Sequence, residues 1–202
     1  MEKMGSFARK RGRDLKKKAH TGDKKAVREY RQARQAVKES MVNQLKRDHK
    51  CRRESIHNLM ACFLMTMHES YGFGRDRLLR LRDKMQSEFD AIVAGNVSVE
   101  EIAGYLKSEL DLDIDILEKD PNAGHYRQIE FKVIQQMSSS FLMALLDEFG
   151  FKKKHLENAY GYVIGLSNRL DEKVMDFPEL CAKVDAVINK GKGAKNNGEK
   201  AA

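Results

Sequence analysis

The chain has 202 residues, of which 41% are hydrophobic and 34% charged, with no Trp and only two Pro. This composition is typical of a helical protein with wetted outer faces. No apolar run is long enough for a membrane span and the N-terminus lacks the apolar stretch of a signal peptide, so we expect no membrane partner and a cytoplasmic location. Cys51, Cys62 and Cys181 form no CxxC pair, which favours reduced thiols.

Positive charge is concentrated in the first quarter of the chain. Residues 1–53 contain 19 Lys and Arg against 6 Asp and Glu, a balance of +13, whereas residues 54–202 have a balance of −5. Such asymmetry favours a polyanionic partner, most often nucleic acid. Residues 1–22 are too charged to bury any surface, so they are predicted to be a flexible basic arm.

Seven cations of this arm are candidate phosphate contacts, because each phosphate they neutralise would release a counterion. They are Arg9, Lys10, Arg11, Arg13, Lys16, Lys17 and Lys18. The alternative is a solvated tail that only aids solubility. Neither reading distinguishes DNA from RNA or indicates a sequence preference.

Residues 23–53 are predicted to be a basic helix. Apolar residues recur there every three or four positions, at Val27, Tyr30, Ala33, Val37 and Met41. No Gly or Pro occurs between Gly22 and Gly72, so either one long helix or two helices with a break near residues 49–53 would fit.

An internal repeat occupies the rest of the chain at a constant offset of 78 residues. FLMTMHESYGFGRDRLL begins at Phe63 and FLMALLDEFGFKKKHLE begins at Phe141, and the matches fall on apolar and glycine positions. This is the pattern of a duplicated packing unit that keeps its core while its surface diverges. We therefore predict two three-helix repeats, at residues 54–110 and 128–189.

Local signals divide each repeat into helices. Gly72 and Gly150 lie where a helix end favours a left-handed residue. Ser98 with Glu101 forms a predicted capping box, and Asp176 stands 78 residues after Ser98 at the start of the corresponding helix. The segment between the repeats, residues 111–127, is predicted to be an extended linker or a frayed helix end, and residues 190–202 a disordered tail.

The second helix of each repeat begins with a run of cations. These candidate nucleic-acid contacts are Arg75, Arg77 and Arg80 in the first copy, and Lys152, Lys153 and Lys154 in the second. An anion would relieve the penalty of placing cations at a helix N-terminus. A helix, a glycine turn and a basic helix also match a helix-turn-helix reader of DNA, and the alternative is an ordinary helical hairpin with a charged outer face.

Metal and enzyme signatures are not found in the sequence. Asp111, Asp113 and Asp115 do not form an EF-hand, because its sixth and twelfth positions would be Ile116 and Asn122. The His and Cys residues near position 57 lack zinc-ligand spacing. No phosphate-binding glycine loop, dinucleotide fingerprint or nucleophile elbow is present. We expect no cofactor, no metal and no enzymatic activity.

A resemblance adds a biological context. The segment from Tyr71 is YGFGRDRLLRLRDKMQSEFDAIVAGNVSVEEIAGYLKSELDLDI, and FGFKKKHLENAYGYVIGLSNRLDEKVMDF matches its pattern less closely. The Y/F-G-F turn, the basic Leu-containing helix and the VSVEEI cap resemble a motif of small, uncharacterised helical proteins from phages and prophages of Gram-positive gut bacteria. That resemblance implies a regulator or an anti-defence factor, including anti-CRISPR proteins that obstruct a nucleoprotein nuclease.

The sequence therefore predicts an all-α protein with a basic arm, a long helix and two duplicated three-helix repeats. The expected function is non-enzymatic binding of nucleic acid or of a nucleoprotein complex for a phage or mobile element, plausibly as an inhibitor of a host nuclease complex. The host would be a bacterium or a phage-infected cell. The alternatives are a helical protein–protein interaction module and a helix-turn-helix-type transcription regulator.

Overall fold

The computed structural model describes residues 13–14, 16–21, 24–112, 114, 116 and 120–190. These residues are all-α and contain no β-strand, as the sequence predicts. After a short helical stretch at residues 13–14 and 16–20, six helices follow in chain order: α1 (Lys24–Tyr71), α2 (Arg75–Ala94), α3 (Val99–Leu110), α4 (His125–Phe149), α5 (Lys153–Asp171) and α6 (Phe177–Asn189).

The helix bounds follow the sequence repeat. Helices α1 and α4 end at residues 71 and 149, α2 and α5 begin at 75 and 153, and α3 and α6 begin at 99 and 177. Each of these pairs is separated by 78 residues, the offset of the sequence repeat. Corresponding segments of the two halves therefore have the same local structure.

The chain divides into two compact units, Met1–Lys50 and Cys51–Ala202. In the first unit, the part of α1 before residue 51 is rich in Lys, Arg, Gln and Ala, which favour a helix. Side chains four residues apart support it: Gln35 Nε2 donates to Glu39 at 3.1 Å, and Gln44 Nε2 donates to Asp48 at 2.8 Å. Every side chain from residue 31 to residue 43 is exposed.

The second unit is built around α4. Helices α2, α3 and α5 each pack against α4, and α6 packs against α2. Phe63, Met67, Met137, Phe141 and Leu145 are all fully buried in this core. Apolar burial of this kind is the dominant favourable term in folding.

The two helix starts predicted from capping residues are confirmed. Ser98 Oγ accepts a hydrogen bond from the Glu101 N–H at 3.1 Å, and the Glu101 carboxylate accepts one from the Ser98 N–H at 2.7 Å, which completes the capping box. Asp176 accepts from the Glu179 N–H at 2.8 Å, with Pro178 in the first turn of α6. Both caps satisfy N–H groups that have no partner within the helix.

Two predicted segments differ from the structure, and one of two open alternatives is found. Residues 16–20 of the predicted flexible arm are helical, since this stretch of Lys and Ala contains no Gly or Pro. Helix α1 is continuous through residues 49–53, so of the two alternatives the single long helix is found. Helix α4 begins at His125 rather than at 128. The arm before residue 13 and the tail from residue 191 lie outside the described residues.

The predicted linker contributes to the core. Leu112 and Ile116 are 2% and 4% exposed and belong to the same apolar cluster as the helices. Of the described residues in this segment, Leu112 and Ile116 are buried and Ile114 is half-buried, and none belongs to a β-strand.

Candidate nucleic-acid interface

The α1–α2 and α4–α5 turns have the same geometry. Gly72 and Gly150 both have a φ of 63°, in the left-handed region that glycine adopts without a Cβ penalty. The Phe73 N–H donates to Met67 O at 3.2 Å, and the Phe151 N–H donates to Leu145 O at 3.1 Å. With a second bond from each glycine N–H, these form the helix ends predicted from the sequence.

Aromatic rings hold the two turns side by side. The Tyr71 and Phe151 ring centroids are 5.2 Å apart, those of Phe73 and Phe149 are 4.9 Å apart, and those of Phe73 and Phe151 are 6.4 Å apart. These distances are typical of favourable aromatic pairs. We call the surface formed by residues 71–77 and 149–155 the paired-turn face.

The paired-turn face contains the N-termini of two helices. Helix α2 begins after Gly74 and α5 after Lys152, and neither residue makes a side-chain cap hydrogen bond. The first N–H groups of each helix therefore have no side-chain acceptor at the cap residue. The positive end of each helix dipole favours an anion at this position.

The first cation of each basic helix contacts the third helix of the other repeat. Arg75 Nε donates to Ile188 O near the end of α6 at 2.8 Å. Lys153 Nζ donates to Asp111, the cap residue of α3, at 2.5 Å. This contact lowers the pKa of the Asp111 carboxyl, first through the hydrogen bond and then through the lysine charge. Arg75 and Lys153 therefore have structural contacts.

The other two predicted contact residues of α2, Arg77 and Arg80, lie near aromatic rings. The guanidinium of Arg80 lies 5.5 Å from the Phe149 ring centroid, and its Nε donates to Glu148 at 2.8 Å. The guanidinium of Arg77 lies 5.6 Å from the Phe73 centroid and is exposed. Cation–π contacts of this kind fix a guanidinium while leaving its outer edge available. Arg77 is the more accessible of the two for an external anion.

Lys152 and Lys154 are exposed and have no carboxylate partner in the described part of the chain. They flank Lys153 at the start of α5, where the unpaired helix N–H groups also lie. Of the six predicted cations in the basic helices, Arg77, Lys152 and Lys154 are thus the ones that the structure leaves accessible on the paired-turn face.

The arm cations fall into two groups. Arg9, Lys10 and Arg11 lie outside the described residues, whereas Arg13, Lys16, Lys17 and Lys18 are helical and exposed. The same unit contains a second basic surface that the predicted site did not include. Between residues 24 and 50, α1 contains nine Lys and Arg against three Asp and Glu.

The structure adds aromatic side chains that sequence reasoning did not assign to the site. The Tyr71 hydroxyl donates to His155 O at 3.0 Å, and its ring lies 6.3 Å from that of Tyr162, which is 54% exposed. Burial, and next the nearby Tyr162, raise the pKa of Tyr71. The sequence repeat does not single out Tyr162, because the corresponding residue of the first repeat is Lys84 and not an aromatic residue.

This constellation offers binding groups: exposed cations, N–H donors of two helix N-termini and partly exposed rings. Cys62 lies within the core, where burial raises the pKa of its thiol to about 12, so it is protonated and a poor nucleophile at neutral pH. Within the described ranges, no three His, Cys, Asp or Glu side chains are grouped to hold a metal ion. With cations and N–H donors beside aromatic rings, the paired-turn face has the groups needed to bind a ligand that carries both an anionic group and a planar ring.

Comparison with known proteins adds no relative: no protein-family model matches the sequence, and no curated protein or solved structure matches it significantly. Among the helices of the described residues, none has the length and apolar character needed to cross a membrane.

Proposed function

We propose that this chain is a non-enzymatic binding protein for nucleic acid or for a nucleoprotein complex, and that the paired-turn face is one of its contact surfaces. The observation that carries the proposal is the juxtaposition of two helix N-termini whose accessible cations, Arg77, Lys152 and Lys154, have no carboxylate partner among the described residues.

Phosphate is the ligand group that suits this face. The helix N–H groups and the lysines at the start of α5 would act on the same anion, and charge-assisted hydrogen bonds are about twice as strong as neutral ones. The exposed ring of Tyr162 lies beside Tyr71 and could stack on an unpaired base, a contact that tolerates any sequence. This favours backbone and stacking contacts over reading of base edges.

The basic first unit would supply a second, separate surface for a polyanion. Its α1 residues 24–50 are strongly basic, and the exposed cations at 13 and 16–18 precede them. Phosphate contacts add affinity without sequence information. A biological role as a phage or mobile-element protein that obstructs a host nuclease complex, such as a CRISPR effector, rests on the resemblance of residues 71–114 alone.

We also propose that the two halves are duplicated three-helix repeats related by a pseudo-two-fold axis. Tyr71 contacts Phe151 while Phe73 contacts Phe149, and each of these pairs is the other with the repeats exchanged. Reciprocal contacts of this kind are the property of a two-fold interface. Duplication would account for two basic helix N-termini meeting on one face.

The test is fluorescence anisotropy with a labelled single strand and a labelled duplex, each titrated at several salt concentrations. Replacing Lys152 and Lys154 by Glu should weaken binding and lower the slope of log affinity against log salt by about 2, because two phosphate contacts are lost. Unchanged affinity and slope would remove the paired-turn face from the proposal.

A matched control reverses two other exposed cations, Arg127 and Lys132, both by Glu. They lie at least 17 residues before the end of α4, about 25 Å along the helix axis from the paired-turn face. The control changes the net charge by the same amount, so an equal loss of affinity in both variants would indicate a general charge effect rather than a site.

A helical protein–protein interaction module is the second candidate. It is favoured by the exposed apolar side chains of Val37, Met41 and Leu45 on α1, which a purely phosphate-binding helix does not need. A helix-turn-helix regulator is less favoured, because Arg75 and Arg80 of the would-be recognition helix contact the protein itself. Protein purified at low salt with no nucleic-acid absorbance would support the interaction module.

A further inference from the structure

Helix α1 carries an exposed apolar stripe in the first unit. Val37, Met41 and Leu45 are 59%, 64% and 57% exposed, and their spacing of four residues places them on one side of the helix. Single exposed apolar residues are ordinary, but a row of three large aliphatic side chains marks an interaction surface.

Opposite charges stand at the two ends of this stripe. Arg34 precedes Val37 by three residues, and Asp48, which is half-buried and accepts a hydrogen bond from Gln44 Nε2 at 2.8 Å, follows Leu45 by three. The positions 34, 37, 41, 45 and 48 therefore have the same spacing when they are read in either direction from Met41. All five lie within one side of the helix, because spacings of three and four residues bring side chains together.

We propose that this stripe pairs with the same stripe of a second copy of the chain, antiparallel, with a two-fold axis at Met41. Val37 then lies opposite Leu45 of the second copy, and Met41 lies against Met41. At each end Arg34 meets Asp48 of the other chain. A closed two-fold dimer requires a surface that is complementary to the same surface of the second copy, and this stripe meets that requirement.

Charge sets a condition on this dimer. Residues 24–50 contain nine Lys and Arg against three Asp and Glu, so two copies repel each other at low salt. Salt screens this repulsion over distances of about 10 Å at 0.1 M, while apolar burial is retained. Self-association should therefore persist or tighten as salt rises, whereas the proposed nucleic-acid binding weakens, so the two proposals can fail separately.

Sedimentation velocity of the full chain over a range of protein concentrations and salt measures this association. The wild type should shift from monomer towards dimer with concentration, and Met41→Glu should abolish the shift, since it places two carboxylates on the axis. Asn43→Glu is the control: it adds the same charge two residues away, about 200° around the helix, on the opposite face. Far-UV circular dichroism checks that all variants remain helical.

A charge exchange separates pairing from folding. Arg34→Asp or Asp48→Arg alone brings like charges together at both ends, which should weaken the dimer by about fivefold, and the double exchange should restore it. A wild type that stays monomeric, or a dimer that survives Met41→Glu, would overturn the proposal. Equal loss in the Asn43→Glu control, or no rescue by the double exchange, would overturn it as well. In the monomeric case the stripe would serve another protein or nucleic acid.

Discussion

Phe63 and Phe141 stack on each other with ring centroids 4.4 Å apart and planes inclined by 19°, and both are fully buried. The two residues are also each other's counterparts in the 78-residue repeat. The pseudo-two-fold axis that we propose between the repeats would bring each of these residues to its own counterpart. The centre of the second unit is therefore a pairing of like with like.

The same exchange relates polar contacts at the edge of this unit. Arg75 reaches the end of α6 at Ile188, and its counterpart Lys153 reaches the end of α3 at Asp111. The chemical partners differ, a backbone carbonyl in one case and a carboxylate in the other, and they lie one residue out of register, since Ile188 corresponds to Leu110 rather than to Asp111. Similar contacts near the ends of α3 and α6 are what the proposed duplication leads us to expect.

Truncating the central stack should be costly. We expect Phe63→Ala to lower the free energy of unfolding by about 3–5 kcal/mol, because the cavity lies where neither helix can collapse easily. Tyr105→Ala removes a ring that is 46% exposed and should change it by less than about 0.5 kcal/mol. Urea unfolding of both variants measures the difference, and a loss below that of the Tyr105 control would show that the stack is not central.

Replacing glycine by alanine should lower stability at the two turns and raise it inside a helix. Gly72→Ala and Gly150→Ala should each destabilise by about 1–2 kcal/mol, because alanine is strained at a φ of 63°. Gly104→Ala, inside α3 with no atom within 4 Å of the added Cβ, should instead stabilise by about 0.5–1 kcal/mol. Thermal melting of the three variants checks it. Destabilisation by Gly104→Ala would contradict the helical geometry of α3.

Local chemistry could be predicted from the sequence because its signals are local. A helix ends at Gly72 or begins at Ser98 for reasons contained within four or five residues, and those predictions are confirmed. The hydrogen bond of Arg80 to Glu148 could not be predicted in this way, because the two residues are 68 positions apart in the sequence. A run of cations in a sequence does not reveal which of them the fold will engage.

The sequence pattern also did not predict which apolar side chains would be exposed to solvent. The spacing of Val37 and Met41 predicts a helix with an apolar face, and the helix is present, but both side chains are more than half exposed. The periodicity of apolar residues predicts that a helix has an apolar face, but it does not predict whether another element covers that face. For the same reason Tyr162, an exposed ring on an otherwise ordinary helix, gave no signal as part of the candidate site.

Helix caps provide a third test of the repeat. Ser98→Ala and Asp176→Ala each remove an acceptor for a helix N–H group and should each cost about 1 kcal/mol of stability. Ser87→Ala is the control, an exposed serine inside α2 where alanine is the better helix former. Chemical denaturation that found no loss for either cap variant would contradict the cap geometry.

The contact between Lys153 and Asp111 predicts a titration. The lysine lowers the pKa of Asp111 in the folded chain, so the stabilisation is complete above the carboxyl's unfolded pKa and is lost as pH falls through the folded value. Because Asp111 is fully exposed, the measurable quantity is the midpoint rather than global stability. Nuclear magnetic resonance of the Asp111 carboxyl carbon should show a midpoint below the usual range, and Lys153→Met should raise it. The neighbouring change Lys154→Met leaves that hydrogen bond in place and should move the midpoint much less. An Asp111 midpoint that is the same in the wild type and in Lys153→Met would show that this contact, and the correspondence with Arg75 that depends on it, does not form in solution.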